Sequence, residues 1–116
     1  RRVCNGCKQE RKLTRDECSA LKMVMPQGET PDITVSYGEG CNLCRGKGLR
    51  GRIGVYEVMP VSDAIRQAVN QRSDGTDILR IARKEGMLTL REGAIRHMLN
   101  GDTTFDEVLR VTADSD

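Results

Sequence analysis

Two short cysteine motifs constrain this chain more than any other feature. Cys4 and Cys7 are separated by two residues, and so are Cys41 and Cys44. In a CxxC motif the backbone turns so that both sulfurs face one point, and two such motifs brought face to face supply four thiolates for a tetrahedral metal site. The 33 residues between the motifs exceed the ~15–20 of a simple zinc ribbon. We therefore predict an elaborated ribbon with an insertion.

The preferred interpretation is a structural Zn²⁺ site formed by Cys4, Cys7, Cys41 and Cys44. A thioredoxin-type redox pair needs a βαβ context that the sequence does not show. Two disulfides would suit a secreted chain, but there is no signal peptide, no membrane-spanning apolar run and an odd number of cysteines. Rubredoxin-like iron also uses paired CxxC motifs and stays open from spacing alone. The scarcity of aromatic residues favours zinc over an electron-transfer iron.

The remaining candidate side chains have structural interpretations. Cys18 recurs with Leu21 and Val24 at helical spacing, which predicts a buried core thiol. His97 lies at the edge of a predicted apolar helix face, so we expect a surface or edge residue rather than a ligand. No serine–histidine pair, paired carboxylates or open metal site is evident. We therefore expect no catalytic residues in this chain.

A glycine-rich basic stretch follows the second CxxC motif and invites comparison with a phosphate-binding loop. Five residues separate Gly40 from Gly46, where a Walker A motif has four, and Lys47 is followed by Gly48 instead of serine or threonine. The stretch is therefore not a nucleotide site. Lys8, Arg45 and Lys47 instead suggest cations that lower the pKa values of a thiolate cluster.

The pattern of residues predicts an α+β fold. A small tetracysteine zinc-binding subdomain (residues 1–60), with short strands and an inserted helix, is followed by a compact bundle of about four short helices (61–112) and a frayed tail (113–116). Because the chain begins with arginine close to the first motif, we expect a segment of a longer protein. The core is small for 116 residues with 37% hydrophobic content, a situation in which metals commonly add stability.

Individual elements follow from capping and periodicity. Capping boxes predict helices starting at Thr14 and Thr89. Alternating apolar residues predict strands over 33–37 and 53–59. The first helix is predicted to end near Met25, before Pro26, and to be followed by a polar turn over 27–32. Further along, we predict a helix from Ser62 or Asp63 to about Arg72, a turn over 73–76 and a helix to Glu85 that ends at Gly86. The helix that begins at Thr89 should end at Gly101, and a last helix should begin at Thr103 or Thr104.

The charge balance argues only weakly for nucleic acid. The formal net charge is +2, although residues 45–52 form a basic edge that we consider a candidate contact surface. A free-standing zinc-ribbon module that binds nucleic acid remains the rival function, and it would bind with strong salt dependence. The absence of aromatic stacking residues beside the cysteines counts against it.

Four blocks, in this order, resemble the C-terminal end of the type II secretion and type IV pilus assembly ATPases. They are Arg2-Val3-Cys4-Asn5-Gly6-Cys7-Lys8, the run from Gly40 to Glu57, Glu85-Gly86-Met87-Leu88-Thr89-Leu90, and the run from Gly101 to Thr112. The resemblance covers almost the whole chain.

The resemblance implies a setting for the domain. The family consists of hexameric cytoplasmic motors, peripheral to the inner membrane, that couple ATP hydrolysis to protein secretion or pilus extension. Its ATP- and Mg²⁺-binding motifs lie upstream, so this chain would be the metal-bearing C-terminal domain without the Walker A and B motifs of its motor. The implied partners are other subunits of a homohexamer and inner-membrane platform proteins, with no nucleic acid. Cys4, Cys7, Cys41 and Cys44 are the family site residues that carry over.

Overall fold

The computed structural model describes residues 1–23 and 31–113, which adopt an α+β fold. A two-stranded sheet and five helices are present within these residues. In chain order they are β1 (Lys8–Lys12), α1 (Arg15–Ala20), β2 (Thr34–Gly38), α2 (Asp63–Asn70), α3 (Gly75–Lys84), α4 (Leu90–Leu99) and α5 (Phe105–Val111). No described helix is long and apolar enough to cross a membrane.

The sheet joins the two cysteine motifs. β1 pairs with β2 in antiparallel register, from Lys8 opposite Gly38 to Lys12 opposite Thr34. β2 confirms the strand predicted over 33–37 with a shift of one residue, whereas β1 was not predicted. Its sequence, KQERK, has no apolar alternation, and most of its side chains are exposed. The strand forms because β2 supplies its hydrogen-bond partners.

α1 is shorter than predicted. Its capping box is present: Glu17 N donates to the Thr14 hydroxyl at 3.1 Å, and Thr14 N donates to Glu17 Oε1 at 3.0 Å. The helix ends at Ala20 rather than near Met25, because Lys22 has a φ of +58°, which no helical residue adopts. Residues 24–30, including the predicted helix end and most of the polar turn, lie outside the described residues.

The strand predicted over 53–59 is not formed. Within the described part of the chain no strand pairs with this segment. Tyr56 and Val58 are 75% and 68% exposed. The segment is attached through Val55, which packs against the core, and through Glu57, whose carboxylate accepts the Leu90 amide at 2.8 Å. The order of apolar residues predicted a strand here, but a strand also needs a neighbouring strand to form its backbone hydrogen bonds.

The four C-terminal helices are present and begin at side-chain caps. Ser62, Asp74, Thr89 and Thr104 each accept a backbone amide of the first turn. α2 packs against α3, α4 packs against α5, and α4 also contacts β2. The helical part therefore consists of two pairs, of which the α4–α5 pair lies on the sheet.

The principal core combines residues from both sides of the predicted boundary at residue 60. Its buried members are Leu13, Cys18, Leu21, Val35, Ala94, Met98, Phe105 and Val108. Cys18 is 0% exposed, which confirms the predicted core thiol. The sheet, α1, α4 and α5 thus share one hydrophobic core, and the division into two subdomains stays a prediction.

A buried carboxylate ties the start of the chain to α5. Glu107 is 4% exposed and lies between two guanidinium groups: Arg1 Nη2 is 2.8 Å from Oε1, and Arg110 Nη2 is 2.7 Å from Oε2. Burial acts to raise the pKa of Glu107, but the hydrogen bonds from Arg110 and Arg1 outweigh it and lower the pKa to about 2. The carboxylate is therefore ionised throughout the ordinary pH range.

Glu107→Gln is expected to destabilise the fold at neutral pH by about 1–3 kcal/mol, because two charge-assisted interactions are weakened in a buried position. The pKa of Glu107 lies below its ordinary value of 4.5. This stabilisation is therefore complete above pH 4.5 and is lost as the pH falls toward 2. Urea unfolding of both proteins should show their difference narrowing over that range. Asp106→Asn, at the exposed neighbouring position, is the control, and equal stability of wild type and Glu107→Gln at neutral pH would contradict the assignment.

Candidate metal centre

The fold brings the four predicted cysteines into one cluster. Their sulfur atoms all lie within 4.8 Å of one another. The Cys4–Cys41 and Cys7–Cys44 Sγ atoms are 3.7 Å apart, and the Cys41–Cys44 pair is 3.8 Å apart. A tetrahedron with Zn–S bonds of about 2.3 Å has sulfur–sulfur edges of about 3.8 Å. The sulfurs are therefore spaced as ligands of one tetrahedral metal, and too far apart for disulfides.

The backbone around the sheet places the two motifs. β1 begins directly after Cys7, and β2 ends three residues before Cys41. The amide of Glu39 donates to the carbonyl of Cys7 at 3.1 Å, which continues the antiparallel pairing into the cluster. On the other side, Cys4 N donates to the Gly48 carbonyl at 3.0 Å. Each CxxC motif is thus hydrogen-bonded to the segment that contains or follows the other motif.

Backbone amides point at two of the sulfurs. Gly40 N donates to Cys7 Sγ at 3.2 Å, while Cys41 N and Gly48 N donate to Cys44 Sγ at 3.2 and 3.1 Å. Such donors stabilise a thiolate and reduce the charge that a metal must balance. The cluster therefore presents an electrostatic environment suited to anionic sulfur ligands.

The pKa values of the Cys7 and Cys44 thiols are shifted in opposite directions. Burial raises the pKa of Cys7 to about 12, against the opposing effect of the Gly40 amide. Burial also acts to raise the pKa of Cys44, but the Cys41 and Gly48 amides outweigh it and bring that pKa to about 6. Cys44 is thus the readiest thiolate of the pair.

The cationic side chains suggested by the sequence are not among the main causes of these pKa shifts. The lowering contributions at Cys44 come from amides and neighbouring thiols, not from Lys8, Arg45 or Lys47. An amide hydrogen bonded to sulfur acts at contact distance, whereas the side chains of these three residues are exposed to water, where their charges are screened. The main lowering contributions therefore come from the backbone, and an effect of these three cations stays a prediction.

The backbone segments at Gly38 and Gly48 cross at close range beside Cys44. A Cβ on Gly48 would lie 2.3 Å from the Gly38 carbonyl oxygen, and a Cβ on Gly38 would lie 2.1 Å from the Gly48 oxygen. Gly48 also has a φ of +76°, a conformation that favours glycine. Sequence analysis missed this supporting role, although Gly48 lies within the glycine-rich stretch that it singled out.

Gly48→Ala is expected to weaken metal binding by about 10- to 100-fold, as for other residues that orient metal ligands. The added methyl group would clash with the Gly38 backbone, so the backbone at Gly48, whose own amide donates to Cys44 Sγ, must shift. Competition with a coloured zinc chelator measures the affinity. Gly46→Ala is a matched control, because Gly46 has a φ of +78° but nothing within 4 Å of its Cβ position. Equal affinities in the two variants would show that backbone strain, not the crossing, controls the site.

The ligand set is closed. Cys4, Cys7 and Cys44 are buried, and Cys41 is partly exposed. His97 is not part of the cluster: its Nδ1 lies 3.1 Å from Asp102 Oδ2. Four sulfur ligands fill a tetrahedron and leave no position for a substrate or activated water. The arrangement supports a structural metal rather than a catalytic one.

Comparison with known proteins decides the family. Residues 1–110 match the family model described as Type II/IV secretion system protein. This chain belongs to that family. The match confirms the resemblance seen in the four sequence blocks.

Individual family members give the same result. Over 97% of the chain, identity is 38% to the Type IV pilus assembly ATPase PilB of Thermus thermophilus and 35% to the Type II secretion system protein E of Aeromonas hydrophila. A PilB of Myxococcus xanthus is 33% identical over the same share. The chain spans 12%, 21% and 20% of the length of these three relatives, respectively. It thus corresponds to a small part of each.

Proposed function

We propose that this chain is a zinc-stabilised C-terminal domain of a secretion or pilus-assembly ATPase, and that it supports the motor and contacts neighbouring subunits or platform proteins. The observation that carries the proposal is the closed four-sulfur cluster in a chain of this family. Zinc is the metal proposed because its tetrahedral thiolate sites are structural when all four ligands come from the protein. ATP and Mg²⁺ would act in the motor domain of the longer protein.

The metal would reinforce segments that otherwise associate mainly through backbone hydrogen bonds. β1 is largely exposed and has no apolar side chain, so β1 itself contributes little hydrophobic burial to its pairing with β2. A metal bound by Cys4, Cys7, Cys41 and Cys44 would join these segments at four points. Because the ligands are assembled only in the folded chain, the binding free energy would contribute to folding.

The proposed contact surface is the basic edge, defined as Arg45, Lys47, Arg50 and Arg52. All four side chains are exposed, and within the described part of the chain none of them forms an ion pair. Charged groups at the edge of an interface act mainly on association rate and specificity. The edge therefore suits an acidic surface on another subunit or platform protein.

A double charge reversal in the longer ATPase tests this role. Arg50→Glu with Arg52→Glu is expected to reduce assembly of the motor, or its ATPase rate within the machine, by roughly tenfold. The control reverses two exposed cations, Arg72, which lies two residues after α2, and Lys84, the last residue of α3. Sedimentation analysis and phosphate release report the two quantities. Unchanged assembly and ATPase rate in the Arg50/Arg52 variant would remove the basic edge as a contact surface.

A further inference from the structure

A cleft separate from the metal cluster lies between the sheet, the loop after Cys44 and the start of α5. Its volume is about 530 Å³, within the range of ordinary ligand sites. The apolar part of its wall includes Tyr37, Leu49 and Phe105. Its charged side chains are Arg1, Arg11, Lys47, Arg110, Asp106 and Glu107.

Cations exceed carboxylates in this cleft. Four cationic side chains face two carboxylates, and the buried Glu107 shares its single negative charge among the guanidinium groups of Arg1 and Arg110 and the α-ammonium group of Arg1. Arg11 is paired elsewhere, with Nη1 2.6 Å from Glu17 Oε1. The surplus charge therefore lies with Lys47 and with the pair of arginines around Glu107.

Hydrogen-bond donors in the wall of this cleft remain without a carboxylate partner within the part of the chain that the structure describes. Both Arg1 and Arg110 contact Glu107 through Nε and Nη2, so the Nη1 groups face away from that carboxylate. Lys47 is exposed, and the described residues provide it with no ion-pair partner. The wall of the cleft therefore holds donors on Lys47, Arg1 and Arg110 that are not bonded to Glu107.

We propose that this cleft binds an acidic segment of a partner protein, with a glutamate or aspartate held between Lys47 and the Arg1–Arg110 pair and an apolar neighbour on Tyr37 and Leu49. The two carboxylates in the wall oppose a multiply charged phosphate more strongly than a single carboxylate. The combined apolar and cationic lining also suits a peptide side chain better than a polyanion. This inference deepens the proposed contact function by giving the partner's chemistry.

Fluorescence anisotropy with a labelled hexaglutamate peptide tests the proposal on the zinc-loaded 116-residue chain at low salt. We expect saturable binding to the wild type and no binding of a hexaglutamine peptide. Lys47→Glu should weaken binding roughly tenfold, since it reverses a charge at the cleft. Lys84→Glu on α3 makes the same charge change outside the cleft and should leave the affinity unaltered.

The proposal would be overturned by no binding of hexaglutamate, by equal weakening in Lys47→Glu and Lys84→Glu, or by equal binding of hexaglutamine. Stronger competition by tripolyphosphate than by unlabelled hexaglutamate would identify a phosphate site and also overturn it. Zinc content and circular dichroism of each variant verify that its fold is intact. Because the assay needs neither the motor nor its assembly, its failure leaves the proposed function of the longer protein standing.

Discussion

Replacing Cys44 with alanine is expected to abolish tight metal binding and to unfold the part of the chain around the sheet. Structural zinc sites contribute about 10–16 kcal/mol of apparent binding free energy at neutral pH, which is comparable with the whole stability of a small domain. Cys44 is the sulfur that receives two backbone amides. Its loss removes the sulfur that these amides stabilise as a thiolate, as well as one corner of the tetrahedron.

Cys18→Ala provides the control for this experiment. Cys18 is fully buried but belongs to the hydrophobic core, not to the cluster. Its truncation should cost about 1 kcal/mol and leave the metal in place. Metal content after gel filtration and thermal melting by circular dichroism distinguish the two variants. A Cys44→Ala protein that retains one tightly bound metal and melts like Cys18→Ala would contradict the four-ligand assignment.

Met98→Ala is expected to lower the free energy of unfolding by about 2–5 kcal/mol. Met98 is 0% exposed and belongs to the core that α4 shares with the sheet and α5. Truncating a buried methionine removes transfer free energy and leaves a cavity. Because this core also includes Leu13 and Val35, the variant should release its metal at a lower denaturant concentration than the wild type.

Leu99→Ala is the matched control, since Leu99 follows Met98 on the same helix but is 47% exposed. Urea unfolding followed by circular dichroism, with a zinc indicator in the same sample, reports structure and metal release together. The helices of Met98→Ala could unfold at a lower urea concentration while its metal is released at the same urea concentration as in the wild type. That result would show that the metal-binding part and α4 are independent.

Local chemistry predicted most helices and the cysteine cluster. Caps at Thr14 and Thr89 satisfy amides within three residues of themselves, so the sequence is sufficient to locate those helix starts. The four cysteines were recognisable because CxxC spacing reflects metal geometry directly. Their convergence in space confirms the geometric part of that prediction, while zinc as the occupant stays a proposal.

The failures concern interactions between distant residues. β1 has no strand pattern of its own and depends on β2, whereas the segment 53–59 has the pattern but no pairing strand among the described residues. The Gly38–Gly48 crossing joins positions ten residues apart through a backbone contact. Glu107 lies in the first turn of α5, where an acidic residue is ordinary, but the fold buries it against Arg1. None of these contacts has a signature in local spacing.

The central claim is that a metal held by Cys4, Cys7, Cys41 and Cys44 is part of the fold. Metal analysis of freshly purified, untagged protein, with circular dichroism before and after a strong chelator, tests it most directly. One zinc per chain and loss of structure on chelation are the expected results. Iron in place of zinc would favour the electron-transfer alternative, and a metal-free protein with an intact fold would contradict the claim.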